Sequence, residues 1–200
     1  RNIEEPDTRL ADRSGPKRIL IIGGSQGAAA LNEIVPSAIE ILSASMPIEV
    51  WHQTGKGRMQ DVVMAYQKFT SEVRVSEFVD DMAEAYRWAD LIICRSGAIT
   101  LAEIAAVGLA SVLVPYPYAV DDHQTSNAQS FVTAGAASLV VESDLNASNL
   151  AELITKLLND SKQLVSMACA AKKLGTGNAS QKIADECMLL GGLTAVAGTA

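Results

Sequence analysis

Histidine, cysteine and basic residues are all scarce in this sequence, and each shortage removes a class of function. With two histidines and no serine or cysteine partner at a recognisable spacing, a hydrolytic triad is not expected. The three cysteines, Cys94, Cys169 and Cys187, are far apart. They lack the paired short spacing of a zinc site and the density of a disulfide scaffold, and read as reduced structural thiols. Sixteen Lys and Arg stand against 23 Asp and Glu, a net charge of -7, and no basic stripe runs along any segment. Nucleic acid is therefore not an expected partner. No apolar run approaches the roughly 20 residues that span a bilayer, and no charged-then-apolar leader precedes the first strand, so the expected location is cytoplasmic.

What is present is a globular composition: 48% of the 200 residues are hydrophobic, enough for one substantial core. Residues 1–16, RNIEEPDTRLADRSGP, are charged and punctuated by Pro and Gly. They read as a linker in a piece of something longer. Residues 191–200, GGLTAVAGTA, read as a flexible tail. Between them, short apolar runs at Arg18-Ile22, Ile48-Thr54, Val73-Phe78, Leu91-Cys94, Ala110-Val114 and Ala137-Val141 predict six strands. Helical stretches separate these runs. Pro36 is expected to start a second helical piece after Ala28-Glu33, Arg58-Phe69 to form a helix, and Leu150-Leu158, Gln163-Leu174 and Ser180-Leu190 to close the fold. The alternation predicts an α/β, doubly wound, Rossmann-like parallel six-stranded sheet, with ligands outside the carboxyl ends of the strands.

The chemistry-bearing residues fall at those ends. Gly23-Gly24-Ser25-Gln26-Gly27 joins the first strand to a helix, where backbone N–H groups and the positive end of the helix dipole converge on an anion. It is neither a Walker A nor a full GxGxxG sequence, and both a phosphate cradle and a plain tight turn fit it. Arg95-Ser96-Gly97 repeats the arrangement after the fourth strand, which a doubly wound sheet sets beside the first. Two such turns suit a diphosphate, with Arg95 either a ligand contact or half of an ion pair. Glu103 is the only charged residue between Gly97 and Pro115 and shares a helix face with Thr100. It either accepts from the hydroxyls of a ribose or is solvated on an exposed face. His123 and Gln124 open the helix after the fifth strand, where the Gln124 amide suits sugar hydroxyls and His123 reads equally as a surface residue. His52, Gln53 and Thr54 are further edge candidates. Asp80-Asp81 and Asp121-Asp122 are explained by helix capping and loop solvation, so neither a metal nor another cofactor is expected.

Together the strings GGSQGAAALN, WHQTGKG, EFVDDMAEAYRWADLIICRSGAITLAEIAAVGLASVLVPYP and DDHQTSNA resemble the carboxyl-terminal domain of the MurG family, over about residues 17 to 160. The resemblance implies the C-terminal half of an inverting GT-B glycosyltransferase, with residues 17–190 a UDP-sugar donor domain. In that family the C4 hydroxyl of lipid I MurNAc attacks the anomeric carbon of UDP-GlcNAc, UDP leaves, and lipid II results. It further implies that Ser25 contacts the diphosphate and that Arg95 lies near the donor phosphates, while Gly24, Gln26, Gly27, Ser96 and Gly97 join the expected substrate-binding set from the two turns themselves. Val79 would read uracil through its backbone, Ala98, Ile99 and Thr100 would lie over the diphosphate and sugar, and Glu103 would bind ribose. Gln124 would contact GlcNAc, and His123 stands where the family has a second glutamine. Lipid I, the proposed base and attachment to the inner leaflet would belong to an absent amino-terminal domain, leaving the chain able to bind UDP-GlcNAc weakly without turnover. Another GT-B donor half, such as that of a glycolipid or split eukaryotic transferase or a UDP-GlcNAc 2-epimerase, and a non-catalytic nucleotide-binding module are the competing readings.

Overall fold

The computed structural model describes residues 4–11, 13–24, 28–69, 72–119 and 122–176. Six strands, β1 (Lys17–Ile22), β2 (Ile48–Gln53), β3 (Val73–Ser76), β4 (Leu91–Cys94), β5 (Ala110–Leu113) and β6 (Ala137–Leu139), form one sheet in the order β3-β2-β1-β4-β5-β6. Every pairing is parallel, with Ile19 opposite Val50 on one side and Leu91 on the other. The order reverses between β1 and β4, so a crevice opens there at the carboxyl edge.

Helices cover both faces. Successive strand residues point to opposite sides, which is why β1 is apolar throughout. Ile19 and Ile21 join the core under α2 (Ala29–Ser43), α3 (Met59–Ala65) and α7 (Ala147–Asn159), whereas Leu20 and Ile22 join the core under α4 (Met82–Trp88), α5 (Ala98–Val107) and α6 (His123–Thr133). The last described helix, α8 (Ser161–Thr176), contributes to both: Leu164 and Met167 to the first, Ala171 to the second.

Three elements differ from expectation. Pro36 lies inside a continuous α2 rather than starting a new helix. It costs one backbone hydrogen bond, but Leu31, Val35, Ala38, Ile39 and Leu42 are all buried on that helix, and their packing keeps it in one piece. The helix predicted to run to Phe69 ends at Ala65, and Phe69 N–H then donates to Tyr66 O at 2.9 Å in a turn. Within the expected linker, Pro6–Ala11 forms a helix, α1, with Pro6 and Leu10 buried. Its Arg9 Nη2 donates to Gly108 O at 2.6 Å. Gly108 ends α5 at φ 72°, and a Cβ there would meet Pro6 Cγ at 2.5 Å. Close approach and left-handed backbone both demand glycine at this position. The predicted helix Ser180-Leu190, the tail 191–200 and Cys187 lie outside the described residues.

Candidate functional site

A cavity of about 510 Å³ opens at the carboxyl ends of β1 and β4, a volume in the range of small-molecule sites. One wall is the glycine turn after β1 and the start of α2 (Ile22, Gly23, Gly24, Ala28, Ala29, Ala30). The second is the turn after β4 (Arg95, Gly97, Thr100), and the third is Tyr116, Gln124 and Glu142. The N-cap residues of α2 and α5, Ala28 and Gly97, make no side-chain cap bond. Among the described residues no side-chain cap therefore competes with an anion for the first N–H groups of these helices at the switch point.

The glycine turn is held from below by β2. Gln53 is buried, and its Oε1 accepts from Gly24 N–H at 3.0 Å while its Nε2 donates to Gly24 O at 2.9 Å and Glu77 O at 2.7 Å. This amide brackets Gly24 and occupies its N–H, so Gly24 shapes the turn (φ 82°) rather than offering a donor. The remaining turn residues expected to meet phosphate, Ser25, Gln26 and Gly27, lie outside the described residues. His52 is also structural. Burial pushes its pKa down to about 3, and its ring lies 3.1 Å from both Tyr66 Oη and Asn32 Oδ1.

After β4, the Ser96 side chain faces protein. Buried, it donates from Oγ to Gln124 O at 2.7 Å, and its own carbonyl accepts from Asn127 Nδ2 at 3.2 Å. Arg95 is drawn into a cluster: Nη1 donates to Val114 O and Pro115 O, both at 3.1 Å, Nη2 pairs with Glu142 Oε2, and the guanidinium lies 5.4 Å from the Tyr116 ring centre. Tyr116 N–H in turn donates to Gln124 Oε1 at 3.0 Å. That bond orients the amide and leaves its Nε2 as the donor for a ligand.

Gly24, Arg95, Gly97, Thr100 and Gln124 thus come together on one cavity, while Val79, Ser96, Ala98, Ile99, Glu103 and His123 are not on its walls. Ala98 and Ile99 are exposed at the head of α5, Ile99 to 79%, and His123 is exposed at the head of α6. Val79 is partly buried against the core beside α4, just before Asp81, whose carboxylate caps that helix by accepting from Glu84 N–H at 2.9 Å. Glu103 is half-buried on α5 and accepts from Tyr86 Oη at 2.7 Å. Burial, then the bond to Glu103, raises the Tyr86 pKa. Burial also pushes the Cys94 thiol up to about 12, which makes it a poor nucleophile. Sequence reasoning missed Tyr116 and Glu142. The signal was topological: they follow β5 and β6, and the carboxyl-end rule that singled out the other loops covers these as well.

Among the described residues no group of three or more His, Cys, Asp or Glu is placed to hold a metal ion, and no helix is long and apolar enough to cross a membrane.

The family model for the glycosyltransferase family 28 C-terminal domain matches residues 18–186. The chain is 45% identical over 186 residues to the UDP-N-acetylglucosamine--N-acetylmuramyl-(pentapeptide) pyrophosphoryl-undecaprenol N-acetylglucosamine transferase of Nitrosococcus oceani, covering 93% of this chain and 52% of that one. The protein of the same name from Aeromonas hydrophila is 47% identical over 185 residues, 92% of this chain and 51% of its own. Among solved structures, Acinetobacter baumannii MurG superposes with a TM-score of 0.83 at 38% identity, over 92% of this chain and 52% of that one. The chain therefore spans about half the length of the curated relatives it matches.

Proposed function

Because this chain belongs to the family of glycosyltransferase family 28 C-terminal domains, we propose that it is the donor-binding half of a transferase that moves GlcNAc from UDP-GlcNAc to lipid I, yielding lipid II. The observation that carries this reading is the cavity at the switch point, where two helices start beside one crevice with no side-chain cap bond from their N-cap residues Ala28 and Gly97. A diphosphate bound there meets fixed amide dipoles. Such dipoles favour the negative charge that develops on UDP as the glycosidic bond breaks, and they need no reorganisation to do so.

The remaining donor parts are those that the family resemblance implies. Thr100 is on the cavity wall and Glu103 lies three residues further along the same face of α5. The ribose then extends from the diphosphate along α5, with its hydroxyls donating to the Glu103 carboxylate. Val79 reads the uracil through its backbone, Ile99 and Ala98 lie over the diphosphate and sugar, and the Gln124 Nε2 donates to GlcNAc beside His123. Ser25, Gln26 and Gly27, which lie outside the described residues, contact the diphosphate in this reading. The lipid acceptor, the base that activates it and attachment to the cytoplasmic face of the membrane belong to the other half of a full-length protein.

Calorimetric titration of the chain with UDP-GlcNAc, UDP-glucose and ADP-ribose tests the reading. UDP-GlcNAc is expected to bind most tightly and ADP-ribose least. Equal affinity for ADP-ribose and UDP-GlcNAc removes the uridine site, and with it the donor-half assignment.

A further inference from the structure

Glu142 poses an electrostatic problem, since it places a carboxylate on the wall of a cavity proposed to take a diphosphate. Its charge is answered by Arg95, which it pairs with directly. Arg95 also holds the segment after β5: Nη1 donates to Val114 O and Pro115 O at 3.1 Å, and the guanidinium lies over the Tyr116 ring, 5.4 Å from its centre. The pair adds no net charge to the cavity, so its contribution there is geometric. The segment it fixes, Val114 to Tyr116, holds Gln124 directly, since Gln124 Oε1 accepts from Tyr116 N–H at 3.0 Å.

From this chain of contacts we propose that the Glu142–Arg95 pair is a positioning latch: it sets how well the site distinguishes a sugar nucleotide from the bare nucleotide by fixing the loop that orients Gln124. Arg95 then acts through the sugar-reading loop and not as a direct diphosphate contact. A planar guanidinium suits this task because its fork reaches two carbonyls and pairs with a carboxylate while lying over a ring, which an ammonium does not. Without Glu142 the guanidinium has no anchor on the β6 side. The Tyr116 backbone then drifts, and the Gln124 amide loses the bond that aims its Nε2. The inference rests on the donor-site reading, in which Gln124 meets the sugar.

The test is titration of the 200-residue chain with UDP and with UDP-GlcNAc, for the parent, Glu142→Gln, Arg95→Gln, the double variant and Gln124→Ala. Glu142→Gln and Arg95→Gln are each expected to weaken UDP-GlcNAc by about fivefold, the worth of one neutral hydrogen bond, while UDP changes by less than about twofold. The double variant is expected to be no worse than either single one, because both changes open the same latch. Arg95→Lys keeps the charge without the fork and should show the same selective loss, should Arg95→Gln fail to fold. Equal weakening of both ligands by Arg95→Gln places Arg95 on the diphosphate and overturns the latch. Unchanged UDP-GlcNAc binding in Glu142→Gln overturns it too. A Gln124→Ala variant that binds UDP-GlcNAc like the parent takes Gln124 off the sugar and overturns the latch, whereas the donor-site reading itself falls only if UDP-GlcNAc binds no better than ADP-ribose.

Discussion

Glu103 sits half-buried on an otherwise apolar helix because Tyr86, buried on α4, offers it a hydroxyl at 2.7 Å. Tyr86→Phe removes that donor while keeping the ring. It is expected to cost about 1 to 2 kcal/mol, as for a hydrogen bond to a partly solvated charge. Urea unfolding measures it, and an unmoved midpoint would show the bond to be worth nothing. On the ligand side, Glu103→Ala is expected to weaken UDP and UDP-GlcNAc alike by about tenfold or more, the loss of charge-assisted bonds. Gln124→Ala should weaken only the sugar nucleotide. If both variants bind UDP-GlcNAc as the parent does, the site is misplaced. At this scale the sequence was legible where a residue broke its local pattern: Glu103 stood out as the lone charge on its helix. Tyr86 broke no pattern, Gln53 stood out only as an edge candidate at the end of its strand, and Glu142 broke no pattern either. Their roles come from contacts across 17, 29 and 47 residues of chain, which topology creates and composition does not record.

The end of β2 shows how elements lock together beneath the cavity. Asn32 on α2 donates from Nδ2 to Thr54 O at 2.9 Å, which turns its Oδ1 toward His52 Nε2; the hydrogen of the neutral ring is therefore assigned to Nε2, and Nδ1 accepts from Tyr66 Oη. One imidazole thus ties β2 to the helices before and after it. Its pKa of about 3 lies below the ordinary 6.5, so the unfolded chain takes up a proton between those values while the folded chain does not. The stabilisation is complete above pH 6.5 and is lost as pH falls toward 3. Between pH 7.5 and 4.5 this group is expected to remove about 2 to 3 kcal/mol of stability. His52→Gln should flatten that part of the pH dependence in urea unfolding, and an unchanged slope would contradict the assignment. Periodicity made the six strands and most of the helices readable, because burial on both faces writes continuous apolar runs. It misplaced the break at Pro36, where buried packing outweighed proline, and it overlooked α1, whose six residues bury only Pro6 and Leu10.

The two edges of the sheet divide the work of the molecule. The carboxyl edge carries the cavity, lined by Gly23, Gly24 and Gly97 and by the starts of α2 and α5. The amino edge carries a clasp. There Asp90, 1% exposed, accepts from Arg13 Nε at 2.6 Å and from Arg18 N–H at 2.9 Å, and Arg13 also donates to Trp88 O. The clasp pins Arg13, after α1, to the starts of β1 and β4. Arg13→Ala leaves a buried carboxylate short of its cation and is expected to cost about 2 to 4 kcal/mol. Asp90→Asn keeps an oxygen for Arg18 N–H while removing the stranded charge. Added to Arg13→Ala, it should therefore recover part of the loss and give a coupling of about 1 to 3 kcal/mol in a double-mutant cycle followed by urea unfolding. Because the clasp and the cavity occupy opposite edges, UDP affinity should stay at the parent value in every member of the cycle. Strictly additive costs would mean that the ion pair does not hold the segment, and a change in UDP affinity would mean that the two edges are coupled through the strands.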